Sequence, residues 1–229
     1  MYCAALDRCG LTLTHLEADE RYPDSTFVED TAVIVTAHPL SQAPSSCAII
    51  TQPGAVTRAG EVAAMTKVLS QFFPGLHAIE PPGTVDGGDI CEAENHFYIG
   101  ISARTNWAGA QQLERLLALY GRTSTFIDIQ GMKGILHLKS GVSYLGDMRM
   151  AVIDALSEHE DFQYYDLIRV DRDEEYAANC VRVNNRILIA AGYPRFEKSL
   201  QELGYETIAL EMSEFQKMDG GLSCLSLRF

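Results

Sequence analysis

The chain has 229 residues, of which 47% are apolar and 21% charged, with a formal net charge of −13. That is room for one sizeable core, or at most two small ones, and the acidic balance disfavours nucleic acid and anionic membranes while drawing in small cations. No apolar run approaches the roughly 20 residues of a membrane span, and the stretch from Met1 to Asp7 lacks the basic-then-apolar pattern of a secretory leader.

Read in chain order, residues 1–10 resemble the end of a helix, and Leu11-Thr12-Leu13 the last strand of a unit whose earlier parts would precede Met1. Residues 47–51 read as a strand, residues 60–72 as a helix with Val62, Met65, Leu69 and Phe72 on one face, and residues 77–79 as a short strand. The Pro- and Ser-rich stretch His38–Ser46 is expected to be a surface loop. A second round follows: a hairpin of residues 89–92 and 96–100, a helix over 106–120 and a strand over 125–129. The third pairs residues 141–145 with 149–153 across Gly146-Asp147, then a short helix and a strand over 165–170. The fourth pairs 180–183 with 186–190 across Asn184-Asn185, then a helix over 196–203 and a strand over 205–210. Residues 222–229 are expected to be a last, apolar strand without a following partner. Similar units at a spacing of roughly 40 residues suggest radial repetition in one α/β domain spanning residues 1–229.

Six cysteines, Cys3, Cys9, Cys47, Cys91, Cys180 and Cys224, are scattered without a Cys-x-x-Cys pair. This argues against a disulfide framework or a structural zinc site and for a reducing, cytoplasmic setting. Most read as small buried hydrophobes. Cys224 differs, because it follows Asp219-Gly220-Gly221 at the mouth of an apolar segment, where a nucleophile would be held. His137, alternating with apolar neighbours in Gly134–Gly141, is either a packing residue or the general acid/base that a cysteine nucleophile requires. Asp86-Gly87-Gly88-Asp89 admits a plain turn, a calcium-like loop or a cation site. In Tyr22–Asp30, Asp24 and Asp30 share a face if the segment is extended, which makes a solvated turn or the wall of a guanidinium pocket. Arg58 and Arg104 stand at equivalent places before two helices, as surface ion-pair partners or as a carboxylate clamp. No phosphate loop, His-x-x-x-His pair or Gly-x-Ser-x-Gly elbow occurs.

Taken together, Tyr22–Asp30, Gly83–Asp89, His137–Gly141, Tyr176–Cys180 and Asp219–Cys224 resemble, in order, motifs of the dimethylarginine dimethylaminohydrolases, guanidino-modifying enzymes (penteins) with a five-bladed α/β propeller of ββαβ units. The resemblance implies Cys224 as nucleophile, His137 as acid/base and Asp86 as supporting carboxylate. It also implies that Asp30 grips the guanidinium with Asp86 while Glu29 steadies that wall. Arg58 and Arg104 would hold the α-carboxylate, with Asp24 and the backbone near Met218 at the α-amino group. Relative to that family the first strand, a lid loop and most of a first helix are missing, so an incomplete closing unit is expected.

The implied reaction is hydrolysis of Nω-methylated arginine to citrulline and an alkylamine through a covalent cysteine thiouronium, with no metal and no organic cofactor. The implied partner is a small cationic substrate, and a homodimer is left open. Arginine deiminase is the first alternative. Its members carry an aspartate two residues after the histidine, where this chain has Lys139, which offers donors only. An amidinotransferase and, from another class, an inactive truncated remnant or non-catalytic binder complete the alternatives.

Overall fold

A computed structural model describes residues 1–43 and 45–229. After helix α1 (Tyr2–Arg8), four three-stranded sheets follow one another. The first contains β1 (Ala32–Thr36), β2 (Ser46–Ile50) and, beyond helix α2 (Glu61–Leu69), β3 (Leu76–Ala78). The second contains β4 (Ile90–Ala93), β5 (His96–Ile101) and, beyond helix α3 (Trp107–Leu119), β6 (Thr123–Asp128). The third has β7 (Val142–Gly146), β8 (Arg149–Ile153), the short helix α4 (Asp154–Ser157) and β9 (Asp166–Val170). In the fourth are β10 (Val181–Val183), β11 (Arg186–Ala190), helix α5 (Pro194–Glu202) and β12 (Glu206–Leu210), after which comes helix α6 (Ser213–Gln216).

Every sheet repeats one rule: an antiparallel hairpin, then a crossover to a third strand parallel to the second. A hairpin needs a short loop, whereas parallel return needs a longer connection, here carried by a helix. The middle strands are therefore hydrogen-bonded on both edges and read as apolar runs, with Ile49, Ile99, Val152 and Leu188 fully buried. Asn106 caps α3, its side-chain oxygen accepting from the Gly109 N–H at 2.8 Å.

Two compact units result. One comprises residues 18–138 with 224–229. Its larger core gathers Val35, Ile49, Phe97, Ile99, Leu113 and Leu117 between the first two sheets and α3. A second cluster joins Ala48, Met65, Leu69 and Phe73 to Leu227 of the tail, and the Phe229 ring meets Phe73 edge-on at 4.8 Å. The other unit comprises residues 1–17 with 139–223 and contains the third and fourth sheets. Among the described residues no helix is long and apolar enough to cross a membrane.

Three expectations need correction. Residues 222–229 are not a strand: Ser223–Leu225 form one 3-10 turn and the rest is irregular. Residues 11–13 are not a strand either. Apolar character alone does not make a strand; a ladder partner is needed, and neither segment enters any of the four sheets. Nor is the Tyr22–Asp30 segment extended, since it holds two successive 3-10 turns, Pro23–Thr26 and Val28–Thr31. The loop expected at 38–46 joins β1 to β2, with Leu40 exposed at its tip; Pro44 lies outside the described residues.

Candidate active site

The 3-10 turn Val28–Thr31 places Glu29 and Asp30 inward, just before β1. Both oxygens of Asp30 are engaged: Oδ1 accepts from the Gly88 N–H at 2.8 Å and Oδ2 from Arg58 Nη1 at 2.5 Å. Glu29 faces Arg228 at 3.7 Å. Asp86 comes from the Gly-Gly turn ahead of β4 and is almost wholly buried. Its Oδ1 accepts from the Gly54 N–H at 2.8 Å, and its own N–H donates to the Thr105 hydroxyl at 3.1 Å. Glycine is required at two of these approaches. A Cβ on Gly54 would sit 2.2 Å from the Arg104 carbonyl oxygen, and one on Gly88 would sit 2.7 Å from His137 Nδ1.

His137 is buried on the loop ahead of the turn Leu138–Ser140, with Nε2 at 3.1 Å from Asp86 Oδ2. Burial opposes its charge, but the carboxylates of Asp30, Asp86 and Asp89 outweigh that and lift it to about 9. At neutral pH the imidazole therefore carries its proton and donates to Asp86. Burial likewise works against ionised Asp86, yet the bond to His137 and the Gly54 N–H hold its carboxyl below the ordinary value. Asp89, fully buried, is pushed by burial up to about 6. It accepts from the Ser102 hydroxyl at 2.7 Å and from the Leu138 N–H at 3.0 Å. Ser102 Oγ in turn accepts from the backbone of Arg104 and Thr105, so one polar chain joins the histidine loop to the arginine loop.

Asp30, Asp86 and His137 each offer an atom within 4.8 Å of the others. The two carboxylates supply acceptors for a hydrogen-bonding organic cation. Arg58 is buried, and its guanidinium is directed to Glu61, Asp30 and the Phe27 carbonyl. Arg104 is half-buried beside Gly54. Asp24 is half-buried in the first 3-10 turn, and Met218 is exposed in the other compact unit. Cys224 is buried, is in no disulfide and stands at the start of the tail segment that belongs to the same compact unit as His137, Asp86 and Asp30. In the other unit, buried Asn179 accepts from the Ser223 N–H at 2.9 Å and donates to the Lys139 carbonyl at 2.9 Å.

Sequence reasoning singled out neither Glu61, Gly54, Ser102 nor Thr105. Gly54, Thr105 and Ser102 act through contacts with Asp86 or Asp89 on another segment, which no local pattern marks, whereas Glu61 pairs with Arg58 three residues before it. Asp89 stood beside Asp86 in the same motif but carried no assigned role.

No family model matches the chain. Over 229 residues, all of this chain and 85% of the relative, it is 42% identical to the N(G),N(G)-dimethylarginine dimethylaminohydrolase of Pseudomonas aeruginosa. With the enzyme of the same description from Streptomyces coelicolor the identity is 31%, covering 99% of this chain and 83% of the relative. A solved structure of the Pseudomonas enzyme, a cysteine-to-serine variant complexed with citrulline, matches at a TM-score of 0.92 and 41% identity, covering 100% of this chain and 85% of that one. The N-terminal domain of ArgZ, a cyanobacterial arginine dihydrolase, is 15% identical and shares the fold at a TM-score of 0.86, covering 99% and 83%. The repeated ββαβ units and the match to the solved structures define the fold as that of the pentein class of α/β proteins. Within that class the chain belongs to the dimethylarginine dimethylaminohydrolase family.

Proposed function

We propose that the chain hydrolyses Nω-methylated arginine to citrulline and an alkylamine, with Cys224 as nucleophile. The observation that carries this reading is a buried His137, drawn toward its charged form by nearby carboxylates, bonded to Asp86 beside Asp30. It supplies an acid for a leaving amine next to acceptors for a planar cation. The citrulline complex of the Pseudomonas relative supports the product.

In this scheme Asp30 and Asp86 accept from the guanidinium N–H groups and hold the carbon in line with sulfur, an orientation effect. Arg58 and Arg104 receive the α-carboxylate, Asp24 receives the α-amino group, and Glu29 steadies the Asp30 wall. The bound cation favours the thiolate, so Cys224 loses its proton to solvent as substrate arrives. Sulfur adds to the guanidinium carbon. His137 passes its proton to the methylated nitrogen, the C–N bond breaks and the amine leaves, with a thiouronium on sulfur. Neutral His137 then takes a proton from water, the hydroxide adds to the same carbon, and the C–S bond breaks as the hydroxyl proton passes to solvent, which releases citrulline and regenerates the thiolate. Side chains and water suffice for every step.

A citrulline assay across arginine, monomethylarginine and asymmetric dimethylarginine tests the reading. The expected result is turnover of the methylated substrates in preference to arginine, and its loss to background in folded Cys224→Ser. Citrulline formation retained by that variant removes the nucleophile assignment, and a preference for unmethylated arginine moves the chain to the deiminases.

A further inference from the structure

The motif Tyr176-Ala177-Ala178-Asn179 has no part in the chemistry described so far, yet two of its side chains converge on the backbone just ahead of Cys224. The motif closes the 3-10 helix Arg172–Ala178, and Asn179, 6% exposed, follows as its cap. The Asn179 amide is used in full. Its Oδ1 accepts from the Ser223 N–H at 2.9 Å, and Nδ2 donates to the Lys139 carbonyl at 2.9 Å and to the Ser223 hydroxyl at 3.0 Å. The Tyr176 hydroxyl donates to the Gly220 carbonyl at 2.8 Å. Gly221 lies between these two anchors. A Cβ there would sit 2.5 Å from Asn179 Cγ and Oδ1, so the close approach of the backbone requires glycine. Just upstream, Asp219 has a φ of 59°, in the left-handed region that favours glycine, so the turn is one that needs holding. The motif is anchored in its turn by β7, where the Ser143 hydroxyl donates to the Ala178 carbonyl at 2.7 Å.

We propose that Asn179 and Tyr176 are positioning residues that fix the backbone on which Cys224 is presented, and that Asn179 also pins the exit of the histidine loop. All the residues they hold belong to the compact unit of residues 1–17 and 139–223. Lys139 and Ser223 are the two ends of its longer segment, so one amide joins the first and last residues of that segment. Peptide bonds carry the chain on from there, to Cys224 directly after Ser223 and back to His137 two residues before Lys139. A nucleophile displaced by 1 Å loses about 100-fold in rate, so the backbone that carries it gains from being fixed at more than one point. Tyr176 and Asn179 supply such points on either side of Gly221.

The inference rests on the proposed hydrolysis, and the test separates the two. Amide hydrogen exchange, followed by mass spectrometry, and kcat on asymmetric dimethylarginine are measured for the wild type, Asn179→Ala and Tyr176→Phe. Absence of turnover by the wild type faults the proposed hydrolysis, and the exchange data then decide whether the clamp exists. In Asn179→Ala the peptide covering residues 219–224 is expected to exchange up to about ten-fold faster, as on loss of an ordinary hydrogen bond, while β11 exchanges at the wild-type rate. Its kcat is expected to fall by about 10- to 100-fold. Tyr176→Phe removes a single hydroxyl and serves where Asn179→Ala fails to fold; it is expected to show the same pattern at smaller size. Wild-type exchange over residues 219–224, or a wild-type kcat, in a folded variant overturns the inference. So does faster exchange throughout the chain, the sign of a global loss of stability in place of a local clamp.

Discussion

At the scale of single residues, the unusual group is a histidine that keeps its proton. His137 is raised to about 9 because three carboxylates outweigh its burial. If it is the acid that expels the amine, kcat/KM falls above about pH 9 as the proton is lost, and a pH–rate series locates that limb. A limb at the unperturbed imidazole value of about 6.5 removes this role. The same shift enters stability. A group with a raised folded value binds its proton more tightly in the native state, so its contribution is full below about pH 6.5 and is lost as pH rises through 9. Urea unfolding of wild type and His137→Gln is expected to give a stability gap that narrows across that interval. His137, Asp86 and Asp30 were all legible as candidates in the sequence, through residue type and motif. Their mutual charge balance was not, because it depends on distances between segments some fifty to a hundred residues apart in sequence. Arg58 was a candidate too, but its surroundings, set by Glu61 on the next turn of the chain and by carbonyls from the 3-10 turns, were not legible.

At the scale of elements, most of the architecture could be read from periodicity. The hairpins at 89–100, 141–153 and 180–190 and the helices after residues 60, 106 and 193 fall within a few residues of expectation. The failures share one cause. Residues 11–13 and 222–229 have the composition of strands, but pairing is a property of two segments, and neither finds a second. The loop Thr51–Gly54 after β2 carries a further test. Gly54 approaches the Arg104 backbone so closely that an added methyl would lie 2.2 Å from its carbonyl oxygen, while its N–H holds Asp86. Backbone cannot step aside as a flexible side chain does. Gly54→Ala is expected to cost about 1–3 kcal/mol in urea unfolding, as overpacking does, and to lower kcat by freeing Asp86. Unchanged stability together with unchanged kcat would show the approach to be loose.

At the scale of the whole molecule, a net charge of −13 surrounds a site proposed for a cation. Salt screens this attraction while leaving the chemistry inside a buried site largely alone. KM for dimethylarginine is expected to rise about two- to three-fold between about 0.01 and 0.5 M salt, with kcat steady; a steady KM would make the surface charge irrelevant to capture. Repeat spacing made the order of units readable, but nothing local announced that the last six residues belong with residues 18–138. That membership has a kinetic consequence. The unit is discontinuous, interrupted by the eighty-five residues from Lys139 to Ser223, and closing so long a loop is entropically slow. During synthesis the segment bearing His137, Asp86 and Asp30 emerges from the ribosome long before Cys224, so a nascent chain passes through an interval in which the proposed attacking atom has yet to be made.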